Sequence, residues 1–67
     1  MSLNWDVVEK WREESGISKA ELARAAGIPE STIYAGLRKN SRLQPSMRSV
    51  MRTIFPRKFD DRGEVRS

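Results

Sequence analysis

Leu22-Ala23-Arg24-Ala25-Ala26-Gly27-Ile28-Pro29-Glu30-Ser31-Thr32-Ile33 is the stretch on which the fold turns. Leu22, Ala23 and Ala26 share one face at helical spacing and make it narrow and small-sided. Gly27 breaks that helix by supplying positive φ at little steric cost. Ile28-Pro29 restarts the chain, and Ile28 and Ile33 have the spacing of a hydrophobic staple around Pro29. Two short helices joined by a glycine-containing turn of about three residues make a helix-turn-helix, whose second helix enters the major groove of DNA. Ala23 is expected to be small because the two helices cross closely there.

Upstream, Ser18-Lys19-Ala20-Glu21 is a capping box, with Ile17 and Leu22 placed as its staple, so the helix begins at Ser18 and runs to about Ala26. Before it, Asn4 to Ser15 predicts a helix capped by Asn4 and stopped by Gly16, with Val7, Val8 and Trp11 inward and Trp5 on the edge of that face. Downstream, the second helix of the motif spans Glu30 to Lys39, with Ile33 and Leu37 inward and Asn40 as a left-handed stop. Pro45 opens a fourth helix reaching Phe55, on which Met47, Val50, Met51 and Ile54 form an amphipathic stripe. Pro56 ends it. Residues 57–67 are mostly polar and are expected to be disordered alone. Phe55 and Phe59 are candidates for a dimer contact, the alternative being that Phe55 closes the core and Phe59 is loose.

The expected architecture is therefore all-α: one small four-helix domain, with at most a fifth helix, over residues 1–56, and a flexible tail over 57–67. Sixty-seven residues hold one domain at most, and a chain of that length buries only roughly 60% of its unfolded surface. With no cysteine and no histidine, disulfides and the usual Cys/His zinc sites are excluded. No apolar run approaches the ~18 residues of a membrane span, and no basic-then-apolar signal segment opens the chain, so a cytoplasmic location is expected. The net charge of +4 is unevenly spread: −2 over residues 1–16, +3 over 17–44 and +3 over 45–67. Such an arrangement suits a polyanionic partner without proving one.

Residues 22–33 resemble the Cro/repressor family of helix-turn-helix proteins, the lambda-repressor-like or XRE type. Its pattern, Leu-Ala-x-x-x-Gly-(Val/Ile)-x-x-(Ser/Thr)-(Thr/Ser)-Ile, is met throughout, and Gly16-Ile17-Ser18-Lys19 and Pro45 fit as flanking elements. The likeness covers about residues 4–55. Leu37 and Lys39 stand where the family commonly carries glutamate and glycine, and Pro56 with the polar tail leaves little room for the usual fifth helix.

With Ile33 inward, the outward positions of the helix at about 30–38 are Ser31, Tyr34, Ala35 and Arg38, flanked by Glu30 and Thr32. The resemblance implies that Glu30, Ser31 and Ala35 lie where base edges are read. Ser31 can donate or accept, Ala35 can touch a thymine methyl, and Glu30 can accept from a cytosine amino group or simply complement the helix dipole. Arg38, Lys39 and Arg42 follow the recognition helix and are expected at phosphates, as is Lys19 beside the free amides of its helix. Thr32 and Tyr34 complete the expected backbone contacts; the alternative for Tyr34 is to cover core.

Catalysis is not expected: there is no histidine, no cysteine and no glycine-rich phosphate loop, and Asp60-Asp61 is a pair of acids in a polar segment. No cofactor or metal is expected. The expected function is a sequence-specific transcriptional regulator of phage or prophage repressor type, bound to double-stranded DNA as a homodimer on a pseudo-palindromic operator. The alternative is a protein-interaction module that keeps the fold and lacks the DNA contacts, a reading that the small base-reading side chains would suit. RNA or non-specific nucleic-acid binding is a third.

Overall fold

The computed structural model describes residues 3–66; positions 1, 2 and 67 of the two expected segments lie outside them. Four helices follow one another: α1 (Trp5–Ser15), α2 (Lys19–Ala26), α3 (Glu30–Lys39) and α4 (Pro45–Ile54), then a 3-10 turn at Pro56–Lys58. Each boundary lies within a residue of its sequence signal. Gly16, Gly27 and Asn40 all take left-handed backbone at the helix ends, with φ of 73°, 69° and 46°. The capping box is complete: Ser18 Oγ accepts from the Glu21 amide and Glu21 Oε1 accepts from the Ser18 amide, both at 3.0 Å.

The core is one cluster drawn from all four helices and both flanking segments. Val8 and Trp11 of α1, Leu22 and Ala23 of α2, Ile33 of α3 and Met51 of α4 are buried in it, with Leu3 and Leu43 closing one end. α3 packs on both α1 and α2, and α4 packs on α2. α3 is thus braced from two sides.

Three expectations are corrected. Trp5, read as an edge residue open to exposure, is only 6% exposed. It lies against Gly36 of α3, where a Cβ would come within 2.4 Å of the indole. The missing side chain of Gly36 is what admits the ring. Asn4 does not cap α1 with its side chain. Instead, Asn40 Oδ1 accepts from the Asp6 amide at 3.1 Å, while Asn4 Nδ2 donates to the Asn40 carbonyl at 3.2 Å. The end of α3 therefore caps the start of α1, and the Trp5 amide donates to Ser41 O in the same junction.

The third correction concerns the C-terminal segment, which folds back on the domain instead of trailing away. Phe55 and Phe59 are both buried, and both meet Trp11 edge-on, with ring centroids 5.7 and 5.6 Å away. Neither is free for a dimer contact. No fifth helix forms over the described residues; a turn organised by Asp60 takes its place. Its Oδ1 accepts from the Arg62 and Glu64 amides, both at 2.9 Å. Those amides, Glu64 first, hold the Asp60 carboxyl below its ordinary value of 3.8. Arg48 of α4 donates to Gly63 O, Arg66 Nε donates to Phe59 O, and Val65 packs on the core.

Candidate nucleic-acid interface

The turn between α2 and α3 is tied by the Ile28 amide donating to Ala23 O at 3.0 Å, beyond the left-handed Gly27. Ala23 is 4% exposed, so a larger side chain there would displace a neighbouring element of the core. Ile33 and Gly36 are the buried side of α3, with Leu37 half-buried beside them. That fixes which residues face out. Ser31, Ala35 and Arg38 form the centre of the exposed side, and Glu30, Thr32, Tyr34 and Lys39 are exposed around it.

The two flanks of this face differ. On one, Tyr34 is 50% exposed, the one large apolar side chain so exposed among the described residues. The Lys19 ammonium, from the first turn of α2, lies 5.6 Å from its ring centroid. It also pairs with Glu9 Oε2 of α1 at 2.9 Å. Glu9 Oε1 accepts from Arg12 Nε at 2.7 Å, and Arg12 also donates to Ile17 O. The Glu9 carboxyl is held below its ordinary value of 4.5, chiefly by the Arg12 hydrogen bond and further by Lys19, against the opposing effect of burial.

On the other flank, a cleft of about 340 Å³ separates α3 from the start of α4, lined by Thr32, Ala35, Lys39, Arg42, Gln44 and Ser46 among others. Gln44 is the residue before α4 and makes no capping hydrogen bond with its side chain. The start of α4 thus lies on the cleft without a side-chain cap, and Arg42 and Lys39 line the same cleft. Gln44 and Ser46 are candidate contacts that the sequence reading missed. The available signal was a helix opening at Pro45 with no Ser, Thr, Asp or Asn before it. Glu9 was missed as well, because nothing local shows that α1 and α2 bring it to Lys19.

All nine expected contact residues therefore lie on one side of the domain. Glu30, Ser31, Thr32, Tyr34, Ala35, Arg38 and Lys39 stand on α3, with Lys19 and Arg42 on opposite flanks. None has a buried role, and among the described residues Lys19 alone of the nine is engaged in an ion pair. Among the described residues, no group of three or more acidic side chains is placed to hold a metal ion. No helix among them is long and apolar enough to cross a membrane.

Two crossed helices with the second presented outward, braced by a helix on either side in sequence, define a helix-turn-helix domain. The sequence agrees: the helix-turn-helix family model matches residues 8–42, more than half of the 67-residue chain, and the chain belongs to that family, of the XRE type. That family is one of DNA-binding regulator domains, and the chain carries a domain of that type. Comparison with curated proteins and with solved structures gives no match.

Proposed function

We propose that this domain is a sequence-specific transcriptional repressor of the phage or prophage kind, binding a pseudo-palindromic operator as a homodimer with α3 in the major groove. The observation that carries the reading is the exposed side of α3, where Ser31 and Ala35 stand beside Arg38 and are flanked by Lys19 on one side and by Lys39 and Arg42 on the other. An α-helix fits the major groove, and Ser31 and Ala35 are small enough to bring its backbone close to base edges. Ser31 meets a donor or acceptor, Ala35 a thymine methyl, and Glu30 a cytosine amino group. Phosphates take Arg38 at the C-terminal end of α3, and Lys39 and Arg42 on the side of the cleft, where the start of α4 adds amide donors beside Gln44 and Ser46. Thr32 and Tyr34 hydrogen-bond the backbone on either side, and Lys19 adds a cation next to Tyr34.

Few long donors reach the bases in this arrangement, so much of the affinity is electrostatic and falls steeply with salt. The test is selection of binding sites from a random duplex library, followed by affinity measurement for the wild type and for the Arg38→Ala/Lys39→Ala double variant. A recovered inverted repeat with half-sites about one helical turn apart, bound at least 10³-fold more tightly than unrelated duplex, supports the proposal. Equal affinity for every duplex or for RNA would replace it with non-specific binding. A folded domain that binds no nucleic acid would replace it with a protein-interaction role.

A further inference from the structure

Resting on that reading, we infer that Glu9 is an intramolecular competitor for the DNA phosphate at Lys19, so that Lys19 joins the interface only by exchanging one anion for another. The Lys19 ammonium is 2.9 Å from Glu9 Oε2 and 5.6 Å from the Tyr34 ring centroid, so it stands between a carboxylate of α1 and the exposed side of the recognition helix. The Glu9 and Lys19 side chains are 21% and 25% exposed, which shields the pair from solvent more than an ordinary surface pair. Glu9 is fixed independently of Lys19. Its other oxygen accepts from Arg12 Nε at 2.7 Å, and Arg12 is anchored in turn on Ile17 O. When Lys19 leaves, the carboxylate stays where it is and continues to attract the ammonium back.

A phosphate approaching Tyr34 therefore meets a lysine that is near but already paired. Arg38, Lys39 and Arg42 carry no such partner among the described residues. Part of the attraction between Lys19 and the phosphate is offset by the loss of the Glu9 pair. The device lowers the affinity for any duplex that engages Lys19 while leaving base reading at Ser31 and Ala35 unchanged.

The experiment is a double-mutant cycle on DNA affinity at one fixed, moderate salt concentration. It compares the wild type, Glu9→Gln, Lys19→Gln and the two changes together, using whichever duplex the wild type binds best. Glutamine keeps an acceptor for Arg12, and circular dichroism of each variant checks the fold. Glu9→Gln is expected to tighten binding roughly two- to fivefold, the range that one partly exposed ion pair supports, and to do nothing in the Lys19→Gln background. An equal gain in both backgrounds overturns the inference, because removal of a negative charge would then act on the DNA from a distance. A loss of affinity in Glu9→Gln overturns it too, since Glu9 would then serve to orient Lys19. Should Glu9→Gln fail to fold, Lys19→Gln and Arg38→Gln decide: a competed lysine gives up less affinity than the unpaired arginine, and an equal or larger loss overturns the inference. A wild type that binds no duplex at low salt removes the functional reading itself. Binding that needs Arg38 and Lys39 but shows no coupling between Glu9 and Lys19 removes only this inference.

Discussion

Gly36→Ala is the change that most sharply separates local preference from packing in this domain. Gly36 lies inside α3, and alanine at such a position gains roughly 1 kcal/mol of helix propensity over glycine. The added Cβ, however, would sit 2.4 Å from Trp5 Cδ1, 2.5 Å from Nε1 and 2.6 Å from Cγ. Ordinary contact begins near 3.4 Å, so the indole must retreat by a full ångström. It has little freedom to do so: the ring is 6% exposed, and the Trp5 amide is bonded to Ser41 O at 3.1 Å. Overpacking of this kind costs about 1–3 kcal/mol, and a rigid ring pinned at its backbone belongs at the upper end. Subtracting the propensity gain leaves a net loss of about 2 kcal/mol. In a domain of this size 1 kcal/mol shifts Tm by roughly 4–8 °C, so a fall of about 8–16 °C is expected in a thermal melt followed by circular dichroism. In a Trp5→Leu background the same change is expected to be neutral or stabilising, because the obstructing ring is gone. A rise in Tm for Gly36→Ala in the wild-type background would refute the reasoning.

Other perturbations follow from the same contacts. Phe59→Ala removes a 3%-exposed ring that meets Trp11 and should cost about 3–5 kcal/mol in a urea titration, whereas a loose segment would lose almost nothing. Asn40→Gly keeps the left-handed backbone and loses the acceptor for the Asp6 amide, a loss of about 1 kcal/mol. Asn40→Ala adds the left-handed penalty of about 1–2 kcal/mol, so the melting order wild type, glycine, alanine is expected. The Glu9, Glu21 and Asp60 carboxyls are all held below their ordinary values, Glu21 by the Ser18 amide and hydroxyl. Because these native pKa values are depressed, their contribution is full above the unfolded values of 4.5 and 3.8 and is lost as pH falls through the lower native ones. Acid titration of stability should therefore show a plateau at neutral pH and a decline setting in below about pH 4.5, shallower in Ser18→Ala; stability that instead rises on acidification would contradict the assignment.

Much of the domain was legible in the sequence because its decisive signals are local. The Ser18–Glu21 capping box, the Gly27 break and the Met47–Val50–Met51–Ile54 stripe each act within a turn or two of chain, and the helices begin and end where those residues direct. The outward face of α3 followed from Ile33 pointing inward, a consequence of helical geometry alone. What was hidden depends on residues far apart in sequence. Asn40 caps α1 from 34 positions away, and Trp5 is buried because Gly36 makes room for it. The C-terminal segment lacks any apolar period. Two separated residues, Phe59 and Val65, dock there while Arg48 and Arg66 satisfy its carbonyls, and composition alone gives no sign of that. Lys19 is expected from the sequence at a phosphate beside the first amides of α2, and its pairing with Glu9 depends on how α1 and α2 pack.

The central claim is that α3 and its two flanks form a DNA-binding face, and an amide-resolved NMR titration with duplex DNA at low and then moderate salt tests it most directly. The account predicts salt-sensitive shifts gathered on Lys19, on residues 30–42 and on the start of α4 around Gln44 and Ser46, with the C-terminal turn around residues 60–64 unmoved. A folded spectrum indifferent to DNA, or shifts centred on the turn and not on α3, would contradict it.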